Sequence, residues 1–359
     1  SNSNTNSNTN TNSNGSKSNT TRSKSNTLEY INNIKIALYE CGFDDVEIGQ
    51  TYDSDEHGFK FKPTKFKSNG DGKFYIIKPR PAKLDKNIIE LFKQINEVNT
   101  NSNGVKLPYY NITTCNNYSI WDFIEGNLVT TLRNTTNFNT STSAIEQEQR
   151  GLTIVITEHP KRIENLEYLN TVSSLIGLTD LHSDNVILLN DMYYPIDLEI
   201  INKTNITGLY GSTEKGIIKK ELLNHKSLNL IKEFNNNLHL FPNRFLPSST
   251  VDFIKYINDD NVYMKQIVSS FTKNKNEKYI NTTILKKYLL SCKTNRIVPY
   301  FLKENNDIFF YNFKDHKYSK IRKDCKKLTK KKCIYTKECE YNKKKSKCVK
   351  VQNYNKIDY

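Results

Sequence analysis

The hydrophobic pattern divides the chain into a polar start, a patterned middle and a Lys-rich end. Residues 1–26 are almost entirely Ser, Asn, Thr and Lys, with no hydrophobic side chain. Such a segment cannot bury enough apolar area to offset the entropy lost on ordering. We therefore predict a disordered arm, with a phosphorylatable or partner-binding arm as the functional alternative.

The pattern becomes regular after this arm. Apolar residues at helical spacing begin at Leu28 and predict a helix that ends before Cys41. Residues 46–78 have the alternation typical of strands, and the last strand ends at Lys78. Residues 84–98 predict an amphipathic helix with one apolar face.

The second half opens with strand-like segments at 108–127. Pro160 begins a helical pattern that ends at Gly177, and a strand–turn–strand pattern follows over 186–199. Beyond about residue 205 the pattern is typical of helices and contains no motif that assigns chemistry.

Composition narrows the class of protein. Hydrophobic residues make up 36% of the chain, and no run approaches the roughly 20 apolar residues of a membrane span. The first residues also lack the pattern of a classical signal peptide. Asn is abundant and Ala occurs at only three positions, a usage typical of AT-rich genomes such as those of large DNA viruses. We therefore predict a viral protein of the host cytoplasm or the virion, without membrane insertion.

The net charge of +15 is concentrated at one end. Residues 316–350 contain 15 Lys and Arg against 3 Asp and Glu, so the rest of the chain carries only +3. This basic tail predicts binding of nucleic acid or another polyanion, with a merely solvated surface as the plain alternative.

The stretch from Gly177 to Glu199 carries the clearest chemistry. Asp180 precedes Asn185 by five residues, and Asp197 follows a short hairpin. This layout suits phosphoryl transfer, which needs a carboxylate near the acceptor hydroxyl and oxygen ligands for Mg²⁺. Any one of these residues alone would be a turn former. The three together, flanked by apolar strands, predict Asp180 as base and the other two as metal ligands.

A kinase-like site also needs a cation on a strand for the nucleotide phosphates. Lys78, at the end of a buried strand and before a helix, meets that need. A lysine at a strand end more commonly extends into water, so Lys78 adds weight only in combination.

Four segments, in order, resemble the dehydratase domain of class II lanthipeptide synthetases (the LanM type), whose core is a lipid-kinase-like fold. They are Ser54-Asp55-Glu56-His57-Gly58, Ile77-Lys78-Pro79-Arg80, Tyr118-Ser119-Ile120-Trp121-Asp122-Phe123-Ile124 and the stretch from Gly177 to Glu199. The resemblance covers residues 45–205.

The resemblance implies ATP- and Mg²⁺-dependent phosphorylation of Ser or Thr in a protein or peptide. The implied nucleotide-binding residues are Ser54, Asp55, His57, Gly58, Lys78 and Arg80. Asp180 and His182 would lie at the transfer site. Asn185 and Asp197 would hold Mg²⁺, with Glu199 supporting the metal site, and Glu90 would pair with Lys78.

The chain also departs from that family. The family's elimination step uses an Arg-Pro-Thr-like motif, and the nearest segment here, 296–300, lacks its Thr. No segment resembles the zinc-binding cyclase domain. We therefore expect a kinase without lanthionine formation, and elimination of phosphate is not predicted.

The seven cysteines fall into two groups. The scattered Cys41, Cys115 and Cys292 are interpreted as buried thiols. The tail cysteines lack the paired spacing of most zinc sites. The tail cysteines could form two disulfides, bind zinc or remain free thiols. They are Cys325, Cys333, Cys339 and Cys348.

Together these observations predict an α+β protein with an atypical two-lobed, protein- or lipid-kinase-like fold. Residues 27–125 would form the N-lobe, 126–315 the C-lobe and 316–359 a small Cys- and Lys-rich module. The leading function is a kinase-like phosphotransferase. The alternatives are an inactive pseudokinase that serves as a structural or binding component of a virus particle, and a small-molecule or lipid kinase.

Overall fold

The structure, a computed structural model, has helices and antiparallel sheets. It describes residues 19–100, 104–129, 160–202, 206–211, 216–247, 262–273, 280–305 and 307–323, with 325, 328, 330–334, 339–343 and 346–350 of the tail. The α+β class is thereby confirmed. Residues 1–18 of the predicted arm lie outside the described residues.

Helix α1 (Asn19–Glu40) begins earlier than the pattern predicts. Ile34, Ala37 and Leu38 are buried against the first sheet, whereas Leu28 remains 62% exposed. Extending a helix from a packed end costs far less than starting one, so polar residues can continue it. The helix ends at Glu40, as predicted.

The first sheet has five antiparallel strands in the order β1-β2-β3-β5-β4. Its strands are β1 (Val46–Thr51), β2 (Thr64–Ser68), β3 (Phe74–Lys78), β4 (Ile112–Cys115) and β5 (Tyr118–Asp122). Helix α2 (Lys83–Val98) joins β3 to β4, and its apolar residues enter the main core. The strands predicted over 46–78 and the helix predicted at 84–98 are confirmed.

The main core continues into a second, three-stranded sheet. Strands β6 (Asn127–Leu128), β7 (Val186–Leu189) and β8 (Met192–Pro195) pair antiparallel in that order. Helix α3 (Pro160–Ile176) packs beside them, as its pattern predicted, and helix α4 (His225–Asn237) packs against α2 and α3.

The region beyond residue 205 contains a sheet that its pattern did not predict. Strands β9 (Asn243–Arg244), β10 (Phe301–Glu304), β11 (Asp307–Asn312) and β12 (Lys317–Lys320) form it in the order β12-β11-β10-β9. Helices α5 (Val262–Lys273) and α6 (Thr282–Asn295) supply its apolar cover. The purely helical interpretation was therefore wrong. Strands β10, β11 and β12 follow one another along the chain and pair locally, and only β9 pairs with a strand far along the chain.

The tail contains helix α7 (Lys330–Ile334) and a hairpin of β13 (Cys339–Asn342) and β14 (Lys347–Lys350). Cys325 is bonded to Cys339, and Cys333 to Cys348. The disulfide alternative is thus the one that the structure contains.

A third disulfide corrects the interpretation of two scattered cysteines. Cys41, just after α1, is bonded to Cys115 at the end of β4, so these two are not free thiols. Cys292 is a buried free thiol, as predicted. No helix in the described ranges is both long and apolar enough to cross a membrane.

Candidate active site

Lys78 ends strand β3 and points toward the loop after β8. Its Nζ donates a hydrogen bond to the Ile196 carbonyl and lies 3.7 Å from the Trp121 ring centroid. Trp121 is held in turn by a hydrogen bond from its Nε1 to Ser119 Oγ, 2.9 Å long. Burial, followed by repulsion from Arg80, lowers the pKa of Lys78 to about 8. Lys78 is therefore a fixed cation that loses its charge more readily than an ordinary lysine.

Arg80 lies two residues further on and is surrounded by carboxylates. It donates to both oxygens of Asp85 at 2.9 and 3.0 Å, and to Asp197 at 2.8 Å. Its Nε lies 3.3 Å from Glu199. The predicted ion pair of Lys78 with Glu90 is absent from the described contacts, and the carboxylate that α2 contributes is instead Asp85. Arg80 thus links α2 to the segment after β8 and is not free to face a ligand.

Asp180 lies in the loop between α3 and the second sheet, in a left-handed backbone conformation with φ of 69°. Such a conformation is uncommon outside glycine, although Asp and Asn tolerate it best. The loop is held because Leu181 N–H donates to the Thr207 carbonyl at 2.8 Å, and Gly208 lies against the same backbone. Burial raises the pKa of Asp180, while His182 opposes the rise. The Asp180 side chain remains 44% exposed, so it can reach a bound molecule.

Asn185 closes this loop. Its Nδ2 donates to the Asp180 carbonyl at 2.9 Å and lies 3.2 Å from His182 Nε2. Its own carbonyl accepts from Ile196 N–H at 2.9 Å. The main chain of Ile196 therefore contacts the Lys78 side chain through its carbonyl oxygen and the main-chain carbonyl of Asn185 through its N–H. This single residue brings the three predicted regions of the site together.

Asp197 and Glu199 differ in what they can offer. Asp197 uses Oδ1 on Arg80, and its side chain is 32% exposed. Glu199 is buried, with Oε1 accepting from Arg244 at 3.0 Å and Oε2 accepting from Tyr300. Both oxygens of Glu199 are therefore engaged by protein donors, and its predicted role beside a metal ion stays a prediction.

The segment between β1 and β2 that contains the predicted phosphate loop docks on residues near the start of β10. His57 Nδ1 donates to the Val298 carbonyl at 3.0 Å, and Val298 N–H donates to the Glu56 carbonyl at 2.8 Å. Since a carbonyl can only accept, His57 carries its proton on Nδ1. Burial, followed by the charge of Arg244, lowers the pKa of His57 to about 3, so this ring is neutral. Ser54 and Asp55 are exposed at the surface of the loop.

Arg244 and Tyr300 are two site residues that sequence reasoning missed. Arg244, on β9, lies 3.2 Å from His57 Nε2 and 3.7 Å from Asp55, besides its bond to Glu199. Tyr300 packs edge-on against the His57 ring. Arg296, from the segment matched to the elimination motif, is exposed at the end of α6. No local sequence signal identified Arg244, because long-range strand pairing is what places it in the site.

The chemistry of the donor set fits Mg²⁺ in part. Asp197 Oδ2 and Asn185 Oδ1 accept no hydrogen bond from the described residues, and Mg²⁺ commonly takes one or two such oxygens together with water and substrate phosphates. Within the described ranges, no group of three or more His, Cys, Asp or Glu is arranged to hold a metal ion by itself. These two residues, rather than Glu199, are therefore the candidate ligands.

Comparison with known proteins gives no independent assignment. No protein-family model matches the sequence, and no curated protein matches it significantly. A function for this chain therefore has to be argued from the geometry of the site.

Proposed function

We propose that this protein transfers the γ-phosphoryl group of ATP, with Mg²⁺, to the hydroxyl of a Ser or Thr in a protein or peptide. The observation that carries the proposal is the position of Ile196. Its main-chain carbonyl accepts a hydrogen bond from Lys78 Nζ, its main-chain N–H donates to the main-chain carbonyl of Asn185, and Asp197 is the next residue. Protein kinases likewise bring together a lysine on a strand, an asparagine from a loop and a metal-binding carboxylate.

The surrounding elements support the same conclusion. Lys78 lies on the third strand of an antiparallel sheet, and a helix follows it directly. In protein kinases the phosphate-binding lysine also lies on the third strand, and its partner carboxylate comes from the following helix. Here that helix supplies Asp85 to Arg80, so the ion pair has a different cation from the usual one.

Each residue has a role that its surroundings allow. Lys78 would bind the nucleotide phosphates, and Asn185 and Asp197 would hold Mg²⁺, which neutralises charge on the phosphate oxygens. Asp180, held in place by Asn185, would accept the proton of the attacking hydroxyl. The bond formed joins that oxygen to the γ-phosphorus, and the bond broken releases ADP. Burial raises the pKa of Asp180, which makes its carboxylate a stronger proton acceptor than that of an ordinary aspartate.

The strain at Asp180 is a further reason to assign it function. A left-handed conformation at a non-glycine residue costs of the order of 1–3 kcal/mol and persists where the surroundings enforce it. Such conformations are enriched at active sites, and they also occur in ordinary turns, as at Asn190 and Asp191 here. Asp180 has this conformation together with partial exposure and a shifted pKa.

Transfer of label from [γ-³²P]ATP to protein in the presence of Mg²⁺ tests the proposal. We expect label that is lost in Asp180→Ala and in Asp197→Asn. Asp184→Asn is the matched control, because Asp184 lies in the same loop with a 64% exposed side chain. Labelling that survives Asp180→Ala and Asp197→Asn would refute these assignments.

A second candidate function is a pseudokinase that serves as a structural or binding component of a virus particle. The observation that favours it is the set of three disulfides. Disulfides persist in oxidising surroundings and are rare in the cytosol. ATP binding by calorimetry without any transfer of label, over a panel of protein, peptide and small-molecule acceptors, would favour this function.

A further inference from the structure

The tail segment 325–350, here named the cationic module, contains two disulfides. In the described part of this module the buried residues are Leu328 and the four cysteines, with Tyr341 packed against them. Disulfides stabilise the shape of small modules of this kind. Its sequence holds 11 lysines, two glutamates and no histidine or aspartate. It therefore has little to offer catalysis, and its distinctive property is its surface.

That surface is densely positive. Five lysines in the described part of the module are exposed, and no ion pair with a described residue neutralises them. They are Lys330, Lys331, Lys343, Lys347 and Lys350. The disulfides and the β13–β14 pairing hold these side chains on one small scaffold, which reduces the entropy lost when they engage a partner.

The type of positive charge indicates how an anion would be recognised. Arginine has a planar fork that binds carboxylates and phosphates through two hydrogen bonds, whereas lysine acts as a point charge that also binds phosphate. Every positive residue of the module is lysine. Tyr341 is partly buried, and Lys330 Nζ lies 5.3 Å from its ring centroid. The described part of the module therefore presents no open aromatic ring for stacking on unpaired bases.

We propose that the cationic module binds the phosphate backbone of double-stranded nucleic acid without sequence preference. Duplex DNA carries one negative charge per about 1.7 Å of its axis, a density suited to a cluster of lysines. Contacts from lysine side chains to backbone phosphates carry little sequence information. This role is separate from the proposed phosphoryl transfer and does not depend on it.

Fluorescence anisotropy with the full chain and a labelled 20-bp duplex tests the inference between 50 and 200 mM NaCl. If the five exposed lysines each contact a phosphate, they contribute about −4.5 to the slope of log K against log salt. That contribution corresponds to a loss of roughly 500-fold in affinity over this salt range. The variant in which all five become Gln should lose that part of the slope.

A matched control changes five exposed lysines elsewhere, namely Lys35, Lys73, Lys86, Lys226 and Lys232. This control should keep the slope of the native chain. Peptide mapping must show both tail disulfides intact in the test variant, so that loss of shape is excluded. An unchanged slope in the test variant, an equal loss in the control, or poly-glutamate binding as tightly as the duplex would each overturn the proposal. The last result would assign the module to an acidic protein.

Discussion

Two glycines provide a controlled test of how the 54–58 loop is held. Gly58 and Gly72 both have φ of +72°, but their surroundings differ. A Cβ at Gly58 would lie 2.7 Å from Phe313 Cβ and 3.0 Å from Ile297 Cδ1, whereas nothing lies within 4 Å of one at Gly72. Replacing either glycine with Ala therefore imposes the same backbone strain, but only Gly58→Ala also introduces a steric clash.

The expected magnitudes follow from these two terms. A left-handed conformation costs an L residue about 1–2 kcal/mol, and this cost applies to both variants. Overpacking adds about 1–3 kcal/mol in a well-packed site, and this cost applies only to Gly58→Ala. Urea unfolding should therefore give a free energy of unfolding lower by about 1–3 kcal/mol in Gly58→Ala than in Gly72→Ala.

The affinity for ATP can be compared between the same two variants. If the loop binds phosphates from its docked position, calorimetry should show weaker ATP binding in Gly58→Ala and native affinity in Gly72→Ala. Equal losses of stability in the two variants would refute the docking of this loop against Phe313. A normal ATP affinity in a destabilised Gly58→Ala would instead separate the loop from the nucleotide.

Three further predictions concern stability and charge. Arg80→Met leaves buried carboxylates without their cation and should cost about 3–5 kcal/mol in urea unfolding. Arg162→Met, in a half-buried pair with Asp191, should cost less, about 1 kcal/mol; similar losses in the two variants would contradict this account. Replacing Cys41 and Cys115 together by Ser should lower the unfolding free energy by about 4 kcal/mol, because their disulfide closes a loop of 74 residues. An unchanged free energy in urea unfolding would show that this disulfide is not formed. Lys78 has a pKa of about 8, so the ATP affinity measured by calorimetry should fall as the pH rises through 8. Lys78→Arg should remove that fall. An ATP affinity of the native chain that does not change with pH would count against Lys78 as the phosphate-binding cation.

The lowered pKa of Lys78 also makes the stability of the fold depend on pH in a defined direction. The pKa of Lys78 is lower in the folded chain than its usual 10.5, so the unfolded state binds more protons between about pH 8 and 10.5. Over that window the contribution of Lys78 to stability rises with pH. Below about pH 8 its burial as an ammonium is a constant cost.

The hydrophobic pattern of the sequence correctly predicted the elements that depend only on neighbouring residues. The face of α2, the strand that ends at Lys78 and the hairpin before Asp197 each lie within one short stretch, and each was confirmed. The exposed, strained position of Asp180 and the shared contact through Ile196 required the structure.

Several features that were not predicted from the sequence depend on contacts between distant residues. Arg244 comes from a strand of two residues whose partner, Leu302 on β10, lies more than fifty residues away. The disulfide between Cys41 and Cys115 was not predicted, because neither cysteine belongs to a motif of regular spacing. Glu199 was predicted to support a metal, but the donors that occupy its oxygens come from β9 and the start of β10, so its surroundings were hidden for the same reason.

The contact between His57 and Val298 has a consequence for how the protein is made. These residues are 241 positions apart, and ribosomes add about 5–20 residues per second. Roughly 12 to 48 seconds therefore pass between the synthesis of the loop and the synthesis of the segment that receives it. During that interval the nascent chain can complete its first sheet but not the site. A product that terminates before residue 298 would keep most of the predicted site motifs without the contact that holds the 54–58 loop.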